Sequence, residues 1–223
     1  MAQHLDLPGE DSHSAETPDH ADFTFAGDFE LRADLALDDF TPAAVNDIIS
    51  QWGGNERAWV WYVQANGNLA FTMSLSAAVK THTRDMTGVA TDAERIQLRM
   101  TADVDNGAGG NDVAFYTRSD GLILPDTGWT ELGVTSTIAG TGTIDASTRD
   151  VHIGASEGGT VNEAAGNFYQ VIAYATPGGT IIADFNASDF TLGDSDTDTA
   201  VGSAGKTWTI NGTNSEIKSD AKN

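Results

Sequence analysis

Apolar residues in this chain recur at every second position, and that period excludes most helical folds. Between positions 28 and 38, Phe29, Leu31, Ala33, Leu35 and Leu37 alternate with mostly charged neighbours. From position 95 onward, Ile96, Leu98, Met100, Ala102 and Val104 alternate with Gln97, Arg99, Thr101 and Asp103. Successive side chains of a strand point to opposite faces, so each run specifies a strand with one buried and one wet face. The same reading places strands over 47–52, 58–65, 68–75, 112–118, 149–155, 167–175, 180–185 and 206–211. Short strands separated by Gly, Asn and Asp clusters make the chain all-β, an antiparallel two-sheet β-sandwich. One helical turn is expected at Thr41-Pro42-Ala43-Ala44-Val45, where Thr caps and Pro takes the first helical position. No repeat of fixed period is present, which disfavours propellers and β-helices.

One hairpin is readable in detail. Asn66-Gly67 is a strong two-residue turn signal, because both positions tolerate positive φ. Such a turn pairs Tyr62 with Phe71 and Val60 with Met73 as a core face. It leaves Trp59, Trp61 and Val63 on the other face, over small neighbours. A three-residue turn shifts the pairing by one and changes which faces match.

Composition narrows the partners. The chain has 223 residues, 39% of them hydrophobic, enough for one domain with a substantial core. Cysteine is absent, which excludes disulfides and thiolate metal sites. Eleven Lys and Arg stand against 33 Asp and Glu, a formal charge of −22. Binding to a phosphate backbone needs basic patches that release counterions, so nucleic acid is a poor partner. No run approaches the ~20 apolar residues that span a bilayer, so no membrane insertion is expected. The first 25 residues carry no basic start and no apolar h-region, so no signal peptide is expected.

The order of motifs along the chain carries a family resemblance. It runs from His4-Leu5-Asp6-Leu7-Pro8-Gly9 through Thr17-Pro18-Asp19 to Gly27-Asp28-Phe29-Glu30-Leu31-Arg32. Next come Arg95-Ile96-Gln97-Leu98-Arg99, Asp103-Val104-Asp105-Asn106-Gly107, Val113-Ala114-Phe115-Tyr116-Thr117, Thr127-Gly128-Trp129 and Leu132-Gly133. It closes with Phe168-Tyr169-Gln170-Val171, Ala183-Asp184-Phe185 and Gly205-Lys206-Thr207-Trp208-Thr209-Ile210-Asn211-Gly212. This series resembles the laminin-G-like, concanavalin-A-like jelly roll of tailed-bacteriophage virion proteins, of the minor tail or decoration kind. The resemblance implies two antiparallel sheets packed face to face, with glycan or protein binding and, in some members, calcium. The expected organisation is an N-terminal segment, 1–21, holding a first edge strand, and a single sandwich over 22–223.

Catalytic patterns are missing. A retaining glycosidase needs two carboxyl groups about 5–5.5 Å apart, and the Glu-x-Asp-x-(x)-Glu strand of related glucanases does not occur. Glu30 and Asp34 share a strand face with Arg32 between them, which reads as a solvated face. There is no His-Glu-x-x-His, no Gly-x-Ser-x-Gly and no phosphate-binding glycine loop. His82 reads as a surface-loop residue. Aromatic platforms are the better candidates, since Trp and Tyr rings suit half-wet surfaces. Trp59, Trp61 and Tyr116 are the candidate glycan residues, provided their strands share a sheet face. Calcium takes six to eight oxygen ligands. Asp103, Asp105, Asn106 and Asp112 are candidate ligands around a Gly-rich loop, with turn chemistry as the alternative. The acidic run 194–198 is weighed in the same way.

The expected function is therefore non-enzymatic. The main reading is a phage minor tail or adhesion module, made in the host cytoplasm and carried on the virion. Its partners would be other virion proteins and a host-surface glycan, in a homo-oligomer or repeated array. The alternatives are a capsid decoration protein, a cellular carbohydrate-binding module and a diverged glucanase.

Overall fold

A computed structural model describes residues 2–119, 125 and 127–220. The ends of the two expected segments, at residue 1 and at 221–223, lie outside the described residues. The chain forms two antiparallel sheets. In the first, the order is β10 (Thr130–Glu131), β9 (Gly110–Arg118), β8 (Ile96–Asp103), β3 (Phe29–Leu37), β13 (Ala165–Tyr174), β1 (Gln3–Pro8) and β17 (Glu216–Ser219). Along it, β11 (Ser136–Ala139) pairs with β9 and β14 (Ile181–Asn186) with β13. The second sheet runs β15 (Thr199–Val201), β16 (Thr207–Asn211), β2 (Ser14–Thr17), β12 (Val151–Ile153), β4 (Asn46–Gly53), β5 (Glu56–Val63), β6 (Asn68–Leu75) and β7 (Ala78–Asp85). This is the expected all-β sandwich, and all ten strands read from alternation are present.

The core lies between the sheets and is tied by aromatic rings from both. Phe25 stacks on Phe29 of β3 at 3.9 Å. Phe29 meets Phe71 of β6 edge-on at 5.7 Å, and Phe25 meets Trp59 of β5 at 5.7 Å. At the other end, Phe185 of β14 meets Trp208 of β16 edge-on at 5.8 Å. Such pairs add about 0.5–1.5 kcal/mol each beyond the area they bury.

Several expectations are corrected. The β5–β6 hairpin pairs Trp61 with Phe71 and Trp59 with Met73, one step from the two-residue register. The connection is a three-residue loop. Gln64 O accepts from Gly67 N at 2.9 Å, Gly67 takes φ +79°, and Gln64 N donates to Asn68 O at 2.8 Å. The tryptophans therefore share the core face with Leu69, Phe71 and Met73. The N-terminal segment is not an edge: β1 lies between β13 and β17, and β2 between β12 and β16. Leu5, Leu7 and Ala15 are core residues, so residues 2–21 belong to the sandwich. Thr41 to Val45 form no helix; Asp39 Oδ1 accepts from Thr41 N at 2.6 Å and turns the chain instead. His82 sits in β7 rather than in a loop, buried, with Nε2 2.7 Å from Asn111 Oδ1.

Candidate functional site

Four of the seven arginines of this acidic chain occupy the outer face of the first sheet, each over an aromatic ring. Arg32 lies 4.5 Å from the Tyr174 ring centre and 5.7 Å from that of Trp129. Arg95 lies 3.7 Å from Tyr169, Arg99 4.9 Å from Tyr116, and Arg118 5.7 Å from Trp129. Polar residues alternate with core residues along β3 and β8, and their outward set is complementary in charge. Arg32 and Arg99 are paired directly across the two strands, as are Asp34 and Gln97. Glu30 holds both guanidiniums, accepting from Arg32 Nε and, at 2.9 Å, from Arg99 Nη2. Asp34 accepts both arms of Arg95 at 2.7 and 2.8 Å, and Gln97 Nε2 at 3.0 Å.

This row was expected to be solvated, and it is not. Glu30 and Arg32 are wholly buried and Asp34 nearly so. The loop after β13 folds back over them, and Gly178 N donates to Glu30 Oε2 at 3.0 Å. Together with the Tyr174 and Trp129 rings, it keeps water from the ion pairs.

Where this cover ends, a cleft of about 340 Å³ opens onto Asp28, Arg99, Thr101, Asp103, Asp112 and Tyr116, with Thr135 and Pro177 at its rim. Arg99 is the centre of its chemistry. Nη2 is held by Glu30, but the buried Nε has no hydrogen-bond partner. An unpaired buried donor costs about 1–3 kcal/mol, so the fold holds this guanidinium in place at a cost in stability. The half-buried Tyr116 ring braces the same guanidinium. Asp103 and Asp112 face each other across β8 and β9. Burial, and then the charges of Asp28 and Asp112, hold the Asp103 carboxyl above its ordinary range.

The residues singled out from the sequence separate here. Tyr116, Asp103 and Asp112 meet in the cleft. Trp59 and Trp61 do not: both are completely buried between the sheets, on the other sheet from Tyr116. They form no glycan platform, because the three-residue turn puts their face in the core. Asp105 and Asn106 shape the β8–β9 turn. Asp105 Oδ1 accepts from Gly107 N at 3.2 Å, and Asn106 Oδ1 from Ala108 N and Gly110 N at 2.9 and 3.1 Å. Asn106 Nδ2 donates to Asp112 Oδ1 at 3.0 Å. Among the described residues, no group of three or more His, Asp or Glu is arranged to hold a metal ion. The run 194–198 also caps turns: Asp194 accepts from Thr191 N and Asp198 from Ser195 N, both at 2.8 Å. The sequence reading missed Arg99 and Asp28. The signal for Arg99 was the charge complementarity of Glu30-x-Arg32-x-Asp34 with Gln97-x-Arg99.

No family model matches the chain, and no curated protein sequence matches it. Solved structures do. The CBM40 domain of the Ruminococcus gnavus IT-sialidase, solved bound to α2,3-sialyllactose, aligns with a TM-score of 0.53 at 8% identity, covering 78% of this chain and 91% of that one. A heptameric SAP-like pentraxin from Limulus polyphemus aligns at 0.51 and 13% identity, covering 79% and 77%. At such identities the likeness is one of fold, and it assigns the chain to the jelly-roll β-sandwiches. Among the described residues no helix is long and apolar enough to cross a membrane.

Proposed function

We propose that this protein is a carbohydrate-binding β-sandwich without catalytic chemistry, and that it takes a neutral glycan in the cleft over Arg99 and Tyr116. The observation that carries the reading is an open cleft of sugar-ring size in which the part-exposed Arg99 side chain, the Tyr116 ring and three carboxylates converge. A sugar hydroxyl both donates and accepts. It can accept from Arg99 while its neighbours donate to the carboxylates of Asp28, Asp103 and Asp112. The edge of Tyr116 offers apolar surface for a ring face. The fold neighbour solved with sialyllactose supports glycan binding in general. The charge argues for a different sugar here: three carboxylates line the cleft and the chain carries −22 overall, a field that repels an anionic sugar.

Calcium has no part in this proposal, because Asp105 and Asn106 are engaged in the turn. Display on a virion, which the motif order implies, is the setting we infer for such a module. Antibody labelling of purified particles checks that setting, and unlabelled heads and tails count against it. The binding function itself is tested with a glycan array probed by labelled protein. Neutral glycans bound by the wild type and bound more weakly by Tyr116→Ala are the expected result. Sialylated glycans bound in preference to neutral ones would overturn the assignment of ligand class.

A further inference from the structure

The outer face of the second sheet carries a separate cleft that shares no lining residue with the first. Its volume is about 290 Å³, and it is lined by Val45, Asp47, Trp52, Val60, Tyr62, Thr72 and Asn162. That is the lower end of the range for small-molecule sites, about 300 Å³. Trp52 and Tyr62 are half-buried, unlike the wholly buried Trp59, Trp61 and Trp208. Arg57 lies over the Trp52 ring at 5.5 Å and braces it. Tyr62 Oη and Thr72 Oγ1 share a hydrogen bond of 3.1 Å, and Thr72 bonds on to Thr81 at 2.9 Å.

The floor is built rather than incidental. A β-bulge between Asp47 and Ile49 breaks the regular β4–β5 register where Asp47 faces Tyr62. Asn162 takes φ +58°, and its backbone carbonyl accepts from Asp47 N at 2.9 Å. Its side-chain amide lies 3.4–3.5 Å from both Asp47 carboxylate oxygens. Those contacts are long, so the amide keeps hydrogen-bonding capacity for a ligand. No guanidinium or ammonium lines the cleft.

We infer that this cleft is a second carbohydrate-binding subsite, in which one neutral sugar ring stacks on Trp52 and Tyr62 and hydrogen-bonds the Asn162 amide. Asp47 is a positioning residue beneath it, holding Asn162. Aromatic rings beside an amide and hydroxyls, with Arg57 engaged on the Trp52 ring and not among the lining residues, suit a polyol ring and not a phosphate or carboxylate ligand. With clefts on two opposite faces, the module is bivalent and is placed to bridge two separate glycan chains rather than to grip one surface twice.

The test is a titration of the ¹⁵N-labelled full chain with maltohexaose, cellohexaose, laminarihexaose and xylohexaose, following the tryptophan indole N–H signals by NMR. One of these neutral probes is expected to shift the Trp52 signal saturably, with the same affinity in Tyr116→Ala. Asn162→Gly keeps the left-handed backbone but removes the amide, and is expected to weaken that binding about tenfold, near 1.4 kcal/mol. If no probe moves Trp52 at tens of millimolar, or if Asn162→Gly binds as tightly as the wild type, the second subsite is wrong. A Trp52 response that disappears in Tyr116→Ala also overturns it, because the two clefts would then be one site. Loss of array binding with the Trp52 response intact would instead remove only the first cleft.

Discussion

Glu30 shows how misleading a polar strand face is when read alone. The Glu30-x-Arg32-x-Asp34 pattern is what a solvated face presents, and nothing within β3 says that a later loop covers it. The sealing residues, Gly178, Tyr174 and Trp129, lie far along the chain. Replacing a solvated glutamate changes stability by no more than about 0.5 kcal/mol. Here Glu30→Gln leaves two guanidiniums without their carboxylate, and a loss of about 3–5 kcal/mol is expected in urea unfolding. Asp47 carries a second prediction. Burial, reinforced by the Glu163 charge and opposed by hydrogen bonds from Ser156 and Asn162, pushes its carboxyl up to about 7 from 3.8. The folded chain therefore binds this proton more tightly than the unfolded chain. The group's contribution is most favourable below about pH 4, falls as pH rises, and levels off above about 7. The full decline is on the order of 4 kcal/mol. Asp47→Asn removes it, so the variant's stability relative to wild type should rise across that interval, as measured by unfolding at a series of pH values. A constant difference would contradict the assignment.

Strands with apolar alternation were legible because burial on one face forces the period. The unread ones lacked it. In β7, Lys80, Thr81, His82, Thr83 and Arg84 offer no alternation, and β11, β15 and β10 are too short to show a period. The β5–β6 turn illustrates a deeper ambiguity. Asn66-Gly67 serves a two-residue turn and also a three-residue loop ending in a left-handed glycine. The choice falls to the tertiary environment, where the Trp59 and Trp61 face is the one that fills the core. Two outcomes follow for this element. Trp61→Ala should cost about 3–5 kcal/mol of stability, as a core deletion does. Loss of glycan binding with unchanged stability would contradict its burial. Gly67→Ala puts a Cβ at φ +79° and 2.9 Å from Thr41 Cγ2, so a loss of about 1 kcal/mol or more is expected in the same assay.

For the whole molecule, the excess of carboxylates sets the behaviour toward salt and toward ligands. A chain at −22 repels itself, so its melting temperature should rise from low salt to molar sodium chloride, read by calorimetry. The same field bears on the proposed ligand. Affinity for a neutral glycan should change little with salt, whereas any residual affinity for an acidic one should increase as screening grows. The composition announced this charge, but only the fold shows that four arginines gather on one face and that one of them opens to a cleft. The decisive measurement is a calorimetric titration of the array's best neutral glycan into wild type, Tyr116→Ala and Thr101→Ala, each first shown to melt cooperatively. Saturable heat for the wild type, weakened about tenfold or more in both variants, is the result this account predicts. Undiminished binding in both folded variants, or no heat from any neutral glycan, would contradict it.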